Sequence, residues 1–156
     1  MPLSYDAPAR LLTISTDNST YQMKVDEYGY LLHLYYGARA EGDLSYLLTY
    51  CDRSGMCGCP HDVADRTYSL DVLPQEYPFQ GSGDMRSPML LVRDAEGTFG
   101  CDLRYKCHEI RPGKYDLPGL PAVYAGEKDD AETLSVTLAD ERLGIEVELL
   151  YGVLPK

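Results

Sequence analysis

Three closely spaced pairs of an acidic and a basic residue are the part of this sequence best suited to holding a ligand. The pairs are Asp52 with Arg53, Asp65 with Arg66, and Asp84 with Arg86. A carboxylate can accept hydrogen bonds from two hydroxyls of one sugar, and a guanidinium donates through a rigid fork. With tyrosine rings nearby to cover the apolar side of a pyranose, the pairs would form a carbohydrate-binding surface. The alternative is an ion-pair network that only holds a loop in shape, and composition alone favours it because such pairs are usually structural.

Four residues with metal-binding side chains form a second candidate. They are Cys51, Cys57, Cys59 and His61, in the pattern C-x5-C-x-C-x-H. Thiolates and imidazoles suit zinc, but structural zinc sites favour ligand pairs about two to four residues apart, with a matching second pair. The spacing here fits that pattern poorly. We therefore predict no metal and no cofactor, and interpret the thiols as incidental residues of a loop.

The sequence places no catalytic group. A general base needs an acid or a nucleophile in reach, and neither His33, in a buried-looking strand, nor His108, on the wet face of another, implies such a partner. Glycoside hydrolysis needs two carboxylates about 5 to 9.5 Å apart across the scissile bond, and no pair is positioned by the sequence in this way. The glycines of residues 81–83 lack the Gly-Lys ending of a phosphate loop and indicate a tight turn.

All of these candidates except the two histidines lie in one long stretch, residues 50–88. A connection of this length inside a small domain is usually either functional or disordered. Disorder conflicts with the apolar residues that the stretch contains, namely Tyr68, Leu70, Val72, Leu73, Tyr77 and Phe79. We predict an ordered loop that presents the acid–base pairs on a rigid scaffold of strands.

The rest of the chain has the pattern of short β-strands separated by turns. Strands are predicted at residues 11–14, 20–25, 30–36, 89–92, 101–110, 123–126, 133–138 and 145–151. Residues 1–10 are interpreted as a lead-in, residues 44–50 fit either a strand or a helical turn, and 30–36 is expected to be central and buried. In 101–110, Asp102, Arg104, Lys106 and His108 are predicted to share one wet face. Strands at this spacing, in a chain long enough for one domain, predict an all-β, antiparallel two-sheet sandwich.

Composition narrows the possible partners and the compartment. The net charge of −11 argues against nucleic acid and against anionic membranes, since both attract clustered Lys and Arg. The first ten residues lack the apolar segment of a secretory signal, and five cysteines cannot complete an intramolecular disulfide framework. We therefore expect reduced thiols and a cytoplasmic location. Because the chain stops soon after a strong strand, we expect it to be cut from a longer protein.

Five segments carry a resemblance to a known family. They are GYLLHLYYG (29–37), DRTYSLDVLPQEYP (65–78), GSGDMRSP (81–88), DLRYKCHEI (102–110) and LPGLPAVY (117–124). In this order they resemble the N-terminal domain of the bacterial α-galactosidases of glycoside hydrolase family 36, which act on melibiose and raffinose. The resemblance spans essentially the whole chain, residues 1–156.

The resemblance implies a β-supersandwich of the galactose-mutarotase type, followed in the family by a catalytic (β/α)8 barrel and a small β-domain. The family's nucleophile lies in a Lys-Trp-Asp motif of the barrel, and this chain contains no Trp. The barrel is therefore expected to be absent, no catalytic residue is assigned, and the chain alone should be inactive in the retaining hydrolysis of terminal α-galactosides.

The resemblance also implies roles for particular residues. Asp52 matches the aspartate that the family's N-terminal domain lends to the substrate pocket, although residues 54–60 depart from the family pattern. Arg66 is carried over as a further substrate-binding residue, and Arg53, the neighbour of Asp52, is predicted to be another. Asp65, Asp84 and Arg86 are predicted, as members of ion pairs, to structure the loop. Members are often tetramers, so a homo-oligomer is expected. The alternatives are a free-standing carbohydrate-binding module and a purely structural domain.

Overall fold

Two antiparallel sheets form the regular structure of the chain, of which the computed structural model describes residues 2–51, 59, 61–62, 64–81, 83–121, 123–126 and 129–154. The first sheet contains, in order across it, β1 (Leu3–Asp6), β2 (Leu11–Ser15), β3 (Ser19–Val25) and β4 (Leu31–Ala38). The second contains β5 (Arg104–Pro112), β6 (Glu132–Asp140) and β7 (Ile145–Val153). A single 3-10 turn, Ser45–Leu47, resolves the ambiguity at residues 44–50. The predicted all-β fold with two antiparallel sheets is confirmed. Among the described residues, no helix has the length and apolar character needed to cross a membrane.

The predicted hairpin of β3 and β4 is confirmed, and its turn is fixed by Asp26. The carboxylate of Asp26 accepts hydrogen bonds from the backbone N–H groups of Tyr28 (3.0 Å) and Tyr30 (2.8 Å). Gly29 supplies the left-handed backbone that the turn needs, with φ of 88°. The turn therefore holds Tyr28 and Tyr30 in set positions, and both contribute to the site described below.

Strand β4 lies at one end of the strand order, so the prediction that it is central is wrong. Its first half is buried, whereas Tyr36 near its other end is 70% exposed. The long loop covers the outer edge of the buried half. His33 donates its N–H to the carbonyl of Pro74 (2.7 Å), and the N–H of Glu76 donates to the carbonyl of Leu31 (2.9 Å). An edge strand is thereby protected by loop residues, which the apolar pattern of β4 alone did not reveal.

Three further predictions about strands are wrong. Residues 3–6 form strand β1, because Leu3 is buried and pairs with Ile14 of β2. Residues 89–92 form no strand, since Met89 and Leu91 are exposed and only Leu90 makes an isolated bridge. The described residues 123–126 form no strand either. In residues 89–92 and 123–126, a short apolar run was therefore not enough to indicate a strand.

Strand β5 contains a bulge that reverses its faces. Its register with β6 shifts between Tyr105 and Cys107, so Lys106 is the extra residue. Cys107 is consequently exposed, and His108 turns toward the interior. The ring of His108 lies 4.3 Å from that of Tyr5, and its Nδ1 lies 2.6 Å from the Tyr105 hydroxyl. The prediction of His108 on the wet face is therefore wrong, and burial lowers the pKa of this imidazole.

The core lies between the sheets and continues under the long loop. The buried apolar residues of the loop include Tyr68, Leu70, Leu73 and Phe79. They join Leu12, Met23 and Leu32 of the first sheet with Leu134, Val136 and Leu138 of the second. A fully buried side chain of this size contributes about 1.5–3 kcal/mol to folding. The described part of the loop is thus packed into the core, as its apolar residues predicted.

Candidate functional site

Two linked turns of the long loop form the outer part of the candidate site, and we call them the double turn (Cys59, His61, Asp62 and residues 64–67). The N–H of Cys59 donates to the carbonyl of Asp65 (3.3 Å), and the N–H of Asp65 donates to that of Asp62 (3.1 Å). The Asp65 carboxylate accepts from the backbone N–H and the hydroxyl of Thr67, both at 2.7 Å. These bonds hold the pKa of Asp65 below its usual value. Arg66 is exposed between these two residues.

Next to the double turn lies a group of four polar residues, which we call the Arg104 cluster: Tyr28, Tyr30, Asp102 and Arg104. Arg104 donates to the carbonyl of Tyr28 (2.6 Å), the hydroxyl of Tyr30 (2.9 Å) and the carboxylate of Asp102 (2.8 Å). Its guanidinium carbon lies 4.5 Å from the centre of the Tyr30 ring. One cation therefore ties the start of β5 to the β3–β4 turn.

Tyrosines connect the Arg104 cluster to the double turn. The hydroxyl of Tyr30 donates to Asp102 (2.9 Å) and lies 3.2 Å from Nε2 of His61. Burial and the charge of Asp102 raise the pKa of Tyr30, so the hydroxyl keeps its proton at neutral pH. The ring of Tyr28 stacks on that of His61 with centres 4.4 Å apart. His61 is thereby held by side chains from the β3–β4 hairpin.

A second polar group, centred on Glu76, connects both sheets to the loop. Its carboxylate accepts hydrogen bonds from the hydroxyls of Tyr21 (2.5 Å) and Tyr151 (2.7 Å), and lies 3.3 Å from Nδ1 of His33. Burial and the neighbouring carboxylate raise the pKa of both tyrosines. Sequence reasoning found no partner for His33, because Glu76 is 43 residues away along the chain.

Asp84 and Arg86 form a tight pair inside the loop. The buried Asp84 carboxylate accepts from the Arg86 guanidinium at 2.7 and 2.9 Å and from the side-chain amide of Gln75 at 2.8 Å. Arg86 also donates to the carbonyls of Leu70 (2.9 Å) and Leu73 (2.8 Å). These contacts join three parts of the loop, whereas Asp65 is engaged with Thr67. Of the three residues expected to structure the loop, Asp84 and Arg86 therefore share one set of contacts, and Asp65 belongs to another.

The remaining candidates from the sequence have different outcomes. Asp52, Arg53 and Cys57 lie outside the described residues. Cys51 is exposed, whereas Cys59 is buried and its sulfur accepts the N–H of Asp62 at 3.3 Å. Within the described residues, no three His, Cys, Asp or Glu side chains are grouped to hold a metal ion.

Sequence reasoning missed the Arg104 cluster. Asp102 and Arg104 were placed on one face of a strand, and their opposite charges two residues apart were the available signal of an ion pair. Their contacts with Tyr28 and Tyr30 cross more than 70 residues of sequence, and no local pattern encodes them. Beside this cluster runs a groove of about 570 Å³, lined by charged residues that include Asp102, Arg104 and Lys106. Such a lining offers both donors and acceptors to a polar ligand.

Comparisons with known proteins give consistent results. The pattern that defines the glycosyl hydrolase family 36 N-terminal domain matches residues 29–156. The bifunctional α-galactosidase/sucrose kinase AgaSK of Mediterraneibacter gnavus is 52% identical over 155 residues, which cover 99% of this chain and 16% of that protein. The solved galactosidase domain of AgaSK has a TM-score of 0.91 at 51% identity and is matched over 99% of this chain and 21% of its own.

A third comparison is with an α-galactosidase crystallised with a sugar. A variant of AgaA from Geobacillus stearothermophilus in complex with raffinose has a TM-score of 0.84 and is 38% identical, covering 92% of this chain and 20% of its own. The chain therefore spans between 16% and 21% of the length of these three matches. Its likeness to these N-terminal parts confirms the predicted β-supersandwich.

Proposed function

Because the chain belongs to the glycosyl hydrolase family 36 N-terminal domain family, we propose that it is the non-catalytic N-terminal domain of a longer α-galactosidase. That enzyme hydrolyses terminal α-D-galactosides of the melibiose and raffinose type with retention. The match over residues 29–156 is the observation that carries the proposal, supported by a similar α-galactosidase crystallised with raffinose. The groups that break the bond belong to the remainder of the enzyme.

In this proposal the domain supports the rim of the substrate site. We assign this role to the double turn, because its backbone is fixed by hydrogen bonds and by contact with the Arg104 cluster. A ligand contact gains most from groups that are already held in place. Asp52 and Arg66 are the groups proposed to meet sugar hydroxyls, and Arg53 is a third.

Partners and location complete the proposal. The α-galactoside reaches this domain together with the catalytic part, and the full-length enzyme is a homo-oligomer in the cytoplasm. The acidic composition, with a net charge of −11, supports the absence of nucleic acid and membrane partners.

The test is the kinetics of Asp52→Ala and Asp52→Asn in the full-length enzyme with melibiose. Each charge-assisted hydrogen bond contributes about 1.5–3 kcal/mol. Losing one such bond should reduce kcat/KM roughly tenfold to 200-fold. Asn should retain more activity than Ala, because its amide oxygen still accepts a hydrogen bond. Wild-type kinetics in an intact Asp52→Ala oligomer would leave only a structural role.

A second measurement separates the proposal from a free-standing carbohydrate-binding module. The isolated 156-residue chain should neither hydrolyse an aryl α-galactoside nor bind melibiose in calorimetry at millimolar concentration. Turnover proportional to the chain would contradict the proposal, and clear binding without turnover would favour the module.

A further inference from the structure

We infer that Arg104 is a positioning residue for ligand binding: it fixes His61 and, through His61, the double turn that presents Arg66. The inference rests on the proposed function, in which Arg66 meets the hydroxyls of a galactoside. Arg104 itself need not touch the sugar.

Arg104 is itself held in a single orientation by three neighbouring residues. Its guanidinium donates to the Tyr28 carbonyl, the Tyr30 hydroxyl and the Asp102 carboxylate at 2.6 to 2.9 Å. The backbone N–H of Asp102 in turn donates to the carboxylate of Asp140 at 2.8 Å. A planar fork that uses several of its donors loses little further entropy when it makes one more contact. Arg104 therefore provides a rigid support next to the loop.

Arg104 is connected to the double turn at His61. Nη2 of Arg104 lies 3.5 Å from Nε2 of His61, and the Tyr30 hydroxyl that it contacts lies 3.2 Å from the same nitrogen. Tyr28, whose carbonyl Arg104 binds, stacks on the His61 ring. His61 of the double turn is thus attached to Arg104 and to the tyrosines around it.

His61 is connected to Arg66 through the backbone of the double turn. The backbone of Asp65 is bonded to Cys59 and to Asp62, which flank His61 on its two sides. After Arg66, the buried Tyr68 donates its hydroxyl to Asp26 at 2.5 Å. The backbone of Arg66 is therefore fixed from both directions, and the direction that passes through His61 depends on Arg104.

If the ion pair of Arg104 had a purely structural role, its loss would lower the melting temperature of the enzyme and leave the KM of the folded fraction unchanged. Loss of positioning raises KM in the same way as loss of Arg66 itself, and the two losses are not additive because they act on one contact.

The experiment is a double-mutant cycle in the full-length enzyme with melibiose, using Arg104→Gln, Arg66→Gln and the double variant. Arg111→Gln is the matched control, since it removes the same side chain from the same strand at an exposed ion pair with Glu148 (3.5 Å). We expect Arg104→Gln to raise KM roughly tenfold with kcat nearly unchanged, because misplacing a binding group by about 1 Å costs up to 100-fold. The double variant should be no worse than Arg66→Gln alone. Tyr30→Phe, which keeps the ring and removes only the hydroxyl, should show a smaller rise of the same kind.

The outcomes separate the inference from the function on which it rests. If Arg66→Gln raises KM but Arg104→Gln and Tyr30→Phe behave like Arg111→Gln, the inference fails and the proposed function stands. Multiplicative effects in the double variant would also overturn it, because Arg104 would then act independently of Arg66. If Arg66→Gln has the wild-type KM, the inference fails. If Asp52→Ala also has wild-type kinetics, the proposed role of the domain at the rim of the substrate site fails too. If Arg104→Gln does not fold, Tyr30→Phe completes the same cycle.

Discussion

Replacement of Asp84 by Ala tests whether the loop depends on its buried ion pair. The side chain of Asp84 is 2% exposed, and it accepts hydrogen bonds from Arg86 and from Gln75. Breaking a fully buried pair costs about 3–5 kcal/mol, because the remaining charge loses its partner. The Arg86 side chain is 48% exposed and keeps the carbonyls of Leu70 and Leu73, so we expect a smaller loss, about 2–4 kcal/mol.

The assay is chemical unfolding of the 156-residue chain, followed by circular dichroism at neutral pH. For a domain of this size, a loss of about 3 kcal/mol corresponds to a drop in Tm of roughly 6–12 °C. Asp84→Asn should lose about half as much, since its amide oxygen can still accept from Gln75 or Arg86. Asp94→Ala is the matched control. The hydrogen bonds that the described residues make to the Asp94 side chain come from its own exposed turn, and one of them is from the N–H of Thr98 at 2.8 Å.

The same pair predicts how the difference between variant and wild type depends on pH. Burial alone would raise the pKa of Asp84, but hydrogen bonds from Arg86 and its positive charge outweigh burial and hold that pKa below its usual value. A carboxyl with a depressed folded pKa stabilises the fold above its unfolded pKa, about 3.9, and loses that contribution as the pH falls through the folded value. The stability gap between wild type and Asp84→Ala should therefore narrow progressively below about pH 4. A gap under about 0.5 kcal/mol at pH 7, or one that stays constant down to pH 2.5, would refute this reasoning.

Two further predictions concern the stability of the same chain. Tyr68→Phe should lose about 1.5–3 kcal/mol, because the carboxylate of buried Asp26 loses a 2.5 Å hydrogen bond, whereas Tyr35→Phe, whose hydroxyl bonds an exposed carbonyl, should lose under about 0.5 kcal/mol. Equal losses in denaturant unfolding would contradict this difference. Folding should need neither metal nor disulfides, so a chelator and a reductant should each shift Tm by less than about 1 °C; stoichiometric zinc in the purified chain would contradict the first expectation.

The strands that the sequence predicted well are those that pair in a complete hairpin. Strands β3 and β4 meet across a turn of turn-forming residues, and so do β6 and β7. The errors arose where tertiary contacts decide the structure. Lys106 forms a bulge that no residue type in β5 announces, and His108 changes face because of it. Strand β1 is only four residues long and exists because β2 offers it an edge.

The sequence predicted the location of only one part of the candidate site, the loop that contains the double turn, and none of the contacts that hold it. The length, apolar residues and charge pairs of residues 50–88 indicated an ordered, functional loop. Which groups hold it follows from contacts that cross 42 to 72 residues, such as Tyr68 with Asp26 and Tyr30 with Asp102. A sequence pattern of period two reports the face of a residue, and carries no information about such partners.

The unusual aromatic composition has a physical explanation in these contacts. The chain has 25 acidic and 14 basic residues, so its carboxylates outnumber its cationic side chains, and it has 14 Tyr but only 2 Phe. Tyr21 and Tyr151 donate to Glu76, as Tyr68 does to Asp26. A tyrosine buries an apolar ring and still donates one hydrogen bond to a buried carboxylate, which costs less desolvation than burying a second charge.

This use of tyrosine also sets the pH range in which the loop is held. Burial and adjacent carboxylates raise the pKa of Tyr21, Tyr30, Tyr68 and Tyr151, so each hydroxyl keeps its proton well above neutral pH. A group with a raised folded pKa contributes its full stability below the unfolded value, about 10 for tyrosine, and loses it only as the pH rises toward the folded value. The hydrogen bonds that join the loop to both sheets are therefore intact across the physiological range. Phenylalanine in place of Tyr21, Tyr68 or Tyr151 would preserve the packing but would take a hydrogen-bond donor from the carboxylate of Glu76 or Asp26.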